Sequence, residues 1–185
     1  MSLKWLPNAI CVLRIVLVAP LVAALLGRHF EAALVLVVVA GGSDAVDGFL
    51  AKTFGWRTRL GSLLDPAADK LLIVSVFLSL TYLGIIPLAL ALVVVLRDVV
   101  IVAGAIAYQL FVEPVRGEPS AISKLNTACQ LAFVVFAMTR AAYAWPSQLA
   151  LELLGAAVVF TSITSGLNYV LRWGKRAWVA AQPRP

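Results

Sequence analysis

Four aspartates set the chemistry this chain could do. Asp44 and Asp47 stand three residues apart and Asp65 and Asp69 four apart, and together they are four of the nine acidic residues in the sequence. On a helix, those spacings put both members of a pair on one face. Carboxylate oxygens are hard ligands, and no His or Cys accompanies them, so the set suits Mg²⁺ or Mn²⁺ better than zinc. Four carboxylates leave room for two ions, which can bridge a diphosphate and stabilise both the attacking and the departing oxygen in a displacement at phosphorus. Gly48 and Gly61 flank the cluster and would let a bulky ligand approach the backbone closely. Two other readings stay open on spacing alone. The acidic residues could simply balance Lys52, Arg57, Arg59 and Lys70 in a solvated loop, or they could serve an ion pathway in a small transporter.

The elements that must position these carboxylates are membrane helices. Of the 185 residues, 62% are hydrophobic and 13% charged, and the mean hydropathy is +0.98, far above that of a soluble domain. Six apolar runs, about 8–27, 31–52, 62–83, 87–111, 121–141 and 147–172, each approach the roughly 20 residues that a helix needs to cross about 30 Å of hydrocarbon. The expected fold is therefore all-α and polytopic, with six transmembrane helices forming one membrane domain over residues 1–185. Small residues such as Gly41, Gly42, Ala67, Ala68, Gly104 and Gly155 suit close helix packing. An Asp at the bilayer centre costs roughly 2.5–3.5 kcal/mol, so the four carboxylates belong near a surface and beside cations. The short connection from about Thr53 to Leu60 makes the second and third helices an antiparallel hairpin, which brings both pairs together near the cytoplasm.

The formal charge of +6 is spread over short juxtamembrane segments without interleaved aromatics. Anionic lipid headgroups, not nucleic acid, are the expected partner. With the N-terminus inside, the cytoplasmic side receives Lys4, Lys52, Arg57, Arg59, Arg116, Lys124 and the basic residues from Arg172 onward, against Arg28 and Arg140 outside. Both termini and the acidic cluster are thus expected in the cytoplasm. The first apolar run is too long for a signal-peptide core, and a bacterial inner membrane is the expected location. Cys11 and Cys129 lack partners at metal-ligand spacing and read as small packing residues.

The acidic segment resembles the signature of the CDP-alcohol phosphatidyltransferase family, D-x2-D-G-x2-A-R-x8-G-x3-D-x3-D. Asp44, Asp47, Gly48, Ala51, Lys52, Gly61, Asp65 and Asp69 fall on it with seven of eight fixed positions in agreement. The departure is Lys52, which keeps the charge of the family's arginine but loses its bidentate fork for phosphate. The resemblance implies six transmembrane helices, a homodimer, and CDP-diacylglycerol entering from the lipid. It further implies that Asp44, Asp47, Asp65 and Asp69 hold two divalent ions, that Asp69 also deprotonates the acceptor hydroxyl, and that Gly48, Lys52 and Gly61 lie against the nucleotide diphosphate.

Other positions extend the likeness. Pro7-Asn8 with Arg14 resembles the start of the first helix in the branches that act on phosphatidylglycerol or glycerol 3-phosphate, with Cys11 where those have Thr; Asn8 would sit near the nucleotide. Asn8 could instead cap the helix, and Arg14 could neutralise the acidic cluster. Arg97-Asp98 in the fourth run could be a self-contained ion pair or part of an acceptor pocket with Arg116 and Lys124, and Lys124 could also be an interfacial anchor. The stretches at 60–73, 79–87 and 119–131 look most like the branch that transfers to phosphatidylglycerol, giving cardiolipin and CMP. The runner-up acceptor is sn-glycerol 3-phosphate, giving phosphatidylglycerophosphate. Outside this chemistry stand a small ion-conducting transporter and a non-catalytic membrane scaffold.

Overall fold

The computed structural model of the chain describes the backbone of residues 6–53, 61–111 and 120–180, and the side chains within 9–43, 67–109 and 120–172. Among the described residues it is all-helical, with α1 (Leu6–Leu26), α2 (Phe30–Thr53), α3 (Gly61–Tyr82), α4 (Leu88–Phe111), α5 (Ala121–Tyr143) and α6 (Gln148–Ala180) in chain order. These bounds fall within about two residues of the apolar runs, except at the end of α6.

The protein is an integral membrane protein. Four stretches are long and apolar enough to cross a bilayer by length and composition: Ala9–Leu26, Leu88–Gln109, Ala121–Tyr143 and Gln148–Arg172. Within the described residues of α2, Phe30–Ser43 is a shorter apolar stretch. Side chains sort as a lipid solvent requires. Val12, Leu13 and Val16 on α1 and Val35, Val38 and Val39 on α2 are exposed, while Arg14, Arg97, Asn126 and Gln130 are buried. Charged and amide groups turn inward because hydrocarbon offers them no partner.

The chain packs as two units. The first comprises Met1–Pro87 and Val134–Ser147, the second Leu88–Phe133 and Gln148–Pro185, so α5 contributes to both. In the first, α1 packs on both α2 and α3, over a core that includes Leu21, Leu25, Val37, Phe77 and Leu80. In the second, α4 packs on α6. Gly155 makes that approach possible: a Cβ there would lie 3.1 Å from Leu90 Cδ1 and 3.2 Å from Phe133 Cε2, as the small-residue pattern leads one to expect. Gly42 is different, with nothing within 4 Å of such a Cβ.

Helix ends follow local chemistry. α3 stops in a left-handed turn at Gly84 (φ 71°), where Gly84 N donates to Thr81 O and Ile85 N to Leu80 O, a Schellman closure that satisfies the last carbonyls. α1 ends the same way, but the residue at positive φ is Arg28 (58°), not the preceding glycine. Ser120 starts α5. Its Oγ accepts from Ser123 N at 3.3 Å and its carbonyl accepts from Ser123 N and Lys124 N, which makes it the N-cap. α1 continues through Pro20; the carbonyl that loses its partner there is tolerated in membrane helices when neighbouring groups compensate.

Candidate functional site

α1 and α3 bring one arginine and one aspartate together inside the first unit. Arg14 Nη1 donates to Asp69 Oδ1 at 2.6 Å, across 55 residues of sequence. The arginine side chain is 1% exposed and the aspartate 43%. A guanidinium buried to that degree needs a fixed anion, and α1 supplies it by packing against α3. The pair is asymmetric: the cation is sealed in the protein, while the carboxylate it anchors keeps much of its side chain exposed.

Asp69 is the only one of the four motif aspartates whose side chain is described. Asp44 and Asp47 fall on α2 and Asp65 on α3, but their side chains lie outside the described residues, as do those of Asn8 and Lys52 and the surroundings of Gly48 and Gly61. Arg116 lies outside them altogether. Asn8 is inside the first turn of α1; a capping residue precedes the helix, so that alternative for Asn8 is set aside. Among the described residues no group of three or more metal-binding side chains occurs. The donor chemistry nevertheless fits a divalent ion, since Asp69 offers a half-exposed carboxylate, a hard ligand of the kind Mg²⁺ takes.

The second unit holds a different arginine–aspartate pair. Arg97 Nη1 donates to Asp98 Oδ1 at 2.7 Å, with side-chain exposures of 5% and 8%. Arg97 Nη2 donates to two hydroxyls, Ser123 Oγ on α5 at 2.6 Å and Ser165 Oγ on α6 at 2.8 Å. One guanidinium therefore ties α4, α5 and α6. Beside it runs a polar seam in which Thr161 and Ser162 each donate to Asn126 Oδ1 at 2.8 Å. Arg97 does pair with Asp98, but its bonds to Ser123 and Ser165 mean that the pair is not self-contained. The two serines were missed at the level of sequence. The available signal was the hydroxyl run Thr161, Ser162, Thr164, Ser165 in an otherwise apolar span. Lys124 is exposed at the start of α5.

A cavity of about 490 Å³ lies in the first unit, lined by Arg28, His29, Glu31 and Ala141 among others. It sits at the α1–α2 turn, roughly 20 Å along α1 from Arg14, and so lies away from the Arg14–Asp69 pair. Cys11 is buried, Cys129 half-buried, and neither forms a disulfide.

Comparison with known proteins gives the following. The family described as CDP-alcohol phosphatidyltransferase matches residues 4–164. The chain is 32% identical over 180 residues to cardiolipin synthase (CMP-forming) of Rattus norvegicus, covering 89% of this chain and 60% of that protein. The Homo sapiens protein of the same name gives the same identity and coverage. CDP-diacylglycerol–glycerol-3-phosphate 3-phosphatidyltransferase 1, chloroplastic, of Oryza sativa subsp. japonica is 31% identical over 155 residues, 74% of this chain and 47% of that protein. The chain thus spans about 60% of the length of the first two relatives.

Proposed function

The chain belongs to the CDP-alcohol phosphatidyltransferase family, and from that premise we propose that it transfers a phosphatidyl group from CDP-diacylglycerol to phosphatidylglycerol, forming cardiolipin and CMP. The acceptor is assigned on the likeness to the rat and human cardiolipin synthases. The observation that carries the chemistry is the Arg14–Asp69 pair, because it leaves the last aspartate of the motif anchored and accessible. The working unit is one domain over residues 1–185 in a bacterial inner membrane, with the acidic cluster and both termini in the cytoplasm; the lysine and arginine bias of the loops supports that orientation.

In this reading the free headgroup hydroxyl of phosphatidylglycerol attacks the phosphorus that carries diacylglycerol, the bond to CMP breaks, and the hydroxyl proton passes to the Asp69 carboxylate. Arg14 keeps that carboxylate pointed by holding one oxygen. The family is generally dependent on divalent metals. Mg²⁺ or Mn²⁺ held by Asp44, Asp47, Asp65 and Asp69 would supply charge neutralisation of the diphosphate. Asn8, Gly48, Lys52 and Gly61 are assigned to CDP-diacylglycerol, and Arg97, Arg116 and Lys124 to the acceptor, with a homodimer as the assembly.

A second reading keeps every residue role and changes the acceptor to sn-glycerol 3-phosphate; the rice relative favours it. The test is CMP release by the purified protein with CDP-diacylglycerol and Mg²⁺ or Mn²⁺, offering each acceptor in turn and identifying the lipid by mass spectrometry. Cardiolipin supports the lead reading, phosphatidylglycerophosphate replaces it with the second, and absence of CMP with either acceptor rejects both in favour of a transporter or scaffold.

A further inference from the structure

The cavity at the α1–α2 turn has charged walls that are not paired within the protein. It measures about 490 Å³ and is lined by Arg28, His29, Phe30 and Glu31 on one side and by Ala141 and Ala142 of α5 on the other, a size within the roughly 300–1,000 Å³ of small-ligand sites. The backbone fixes how the turn presents its side chains. Gly27 has no Cβ, and the His29 ring lies back over it, with Cδ2 only 3.0 Å from where such an atom would stand. The left-handed step falls on the next residue, Arg28 (φ 58°), a conformation that side chains disfavour. Arg28 and Glu31 are exposed, and among the described residues neither makes an ion pair or a side-chain hydrogen bond. One positive and one negative group thus line the same cavity unpaired.

The elements around the cavity set its depth in the bilayer. The apolar run of α1 ends at Leu26 and that of α2 begins at Phe30, so the turn between them lies where hydrocarbon gives way to headgroups. Tyr82 at the end of α3, Tyr143 next to Ala142, and Trp145 beyond it are all exposed, and Trp145 packs on Phe136 with ring centroids 6.3 Å apart. Exposed aromatics with a polar tip gather at the headgroup level of a membrane. Arg28 and Glu31 cancel in net charge, so the cavity does not select an anion as such. It selects a group that carries an anion and a hydrogen-bonding cation close together. An ethanolamine phosphate is such a group; a choline phosphate is not, because its ammonium has no hydrogen to donate. We infer that this cavity binds the headgroup of an ethanolamine phospholipid in the leaflet facing away from Asp69, with the phosphate on Arg28 and the ammonium on Glu31. The planar fork of the arginine matches phosphate oxygens, and the carboxylate accepts from the amine. The site is separate from phosphatidyl transfer and needs neither the metals nor the nucleotide.

The test reads binding without turnover. Native mass spectrometry of the full chain in detergent, with CDP-diacylglycerol withheld, measures the lipid retained as short-chain phosphatidylethanolamine, phosphatidylcholine or phosphatidylglycerol is added. Phosphatidylethanolamine should bind about tenfold more tightly than either of the others. Arg28→Gly suits the left-handed backbone better than arginine does, so the protein should keep its thermal midpoint while its affinity for phosphatidylethanolamine falls about tenfold. Glu31→Gln should lose the preference for ethanolamine over choline, a change in selectivity that a purely structural role would not produce. Should Glu31→Gln fail to fold, Arg28→Gly decides alone. A wild-type chain that binds the three lipids alike or retains none of them, or variants that keep its affinity and preference, overturn the inference. Glycerophosphoethanolamine carries the headgroup without acyl chains and separates the two sources: weaker binding than the lipid supports a membrane ligand, and equal binding overturns it in favour of a soluble one.

Discussion

Each unit of this protein buries an arginine against an aspartate, and the two pairs are built on opposite plans. Arg14 reaches Asp69 across 55 residues, and the aspartate keeps 43% of its side chain exposed. Arg97 takes the residue next to it, and both side chains are nearly sealed. Breaking the first pair exposes a carboxylate that water can already reach, whereas breaking the second strands a charge in a low-dielectric interior. The first arrangement therefore suits a carboxylate that must act on a ligand. The second suits a cation that must stay put, with its remaining bonds given to serines on two other helices.

The largest effect should come from Asp69→Asn. It keeps the shape and removes the proton acceptor, and CMP release should fall by about 10²–10⁴-fold while size-exclusion chromatography still shows a folded protein. Near-normal turnover would break the contrast at its functional end. Next is Asp98→Asn, which leaves Arg97 buried beside a neutral group and should cost about 3 kcal/mol of stability, read from a denaturation midpoint. Replacing Arg97 and Asp98 together by leucine should recover most of that loss, since an apolar pair of similar volume carries no stranded charge. Arg14→Met should be milder on stability, because Asp69 retains contact with water, and should lower turnover by about 10–100-fold through loss of orientation. If Arg14→Met instead unfolded the protein with Asp98→Asn neutral, the two pairs would have exchanged roles. The smallest effect is a packing control in the second unit: Gly155→Ala presses a methyl against the buried Leu90 and Phe133 and should cost about 1 kcal/mol, with little change in affinity for substrate.

The helices were legible because hydropathy and helix geometry address the same length: about 20 apolar residues are both a span and six turns of backbone. Gly84 closes α3 and Ser120 caps α5 through chemistry that acts within one turn. The ion pair of Arg14 was available as one alternative, since a lone arginine in an apolar run needs an anion and the acidic motif was the nearest supply. At the α1 turn the left-handed residue is Arg28 and not the neighbouring glycine, Gly27. Ser123 and Ser165 were not legible at all, because a serine in a membrane helix is read as small or self-bonded until a partner on another helix is seen. The end of α6 was missed for a related reason: hydropathy reports where lipid stops, and a helix need not stop there.

That last helix has a mechanical consequence. At 33 residues α6 is about 50 Å long, against roughly 30 Å of hydrocarbon, and in the sequence its apolar run gives way to basic residues from Arg172 onward. About 12 Å of continuous helix therefore projects past the span as a stiff rod. Such a rod cannot shorten to match its surroundings, so a change in bilayer thickness is taken up as tilt. Ser165 lies about two turns before Arg172 on the same helix, where the bond from Arg97 on α4 holds it, so the packing of α6 on α4 sets how that rod stands.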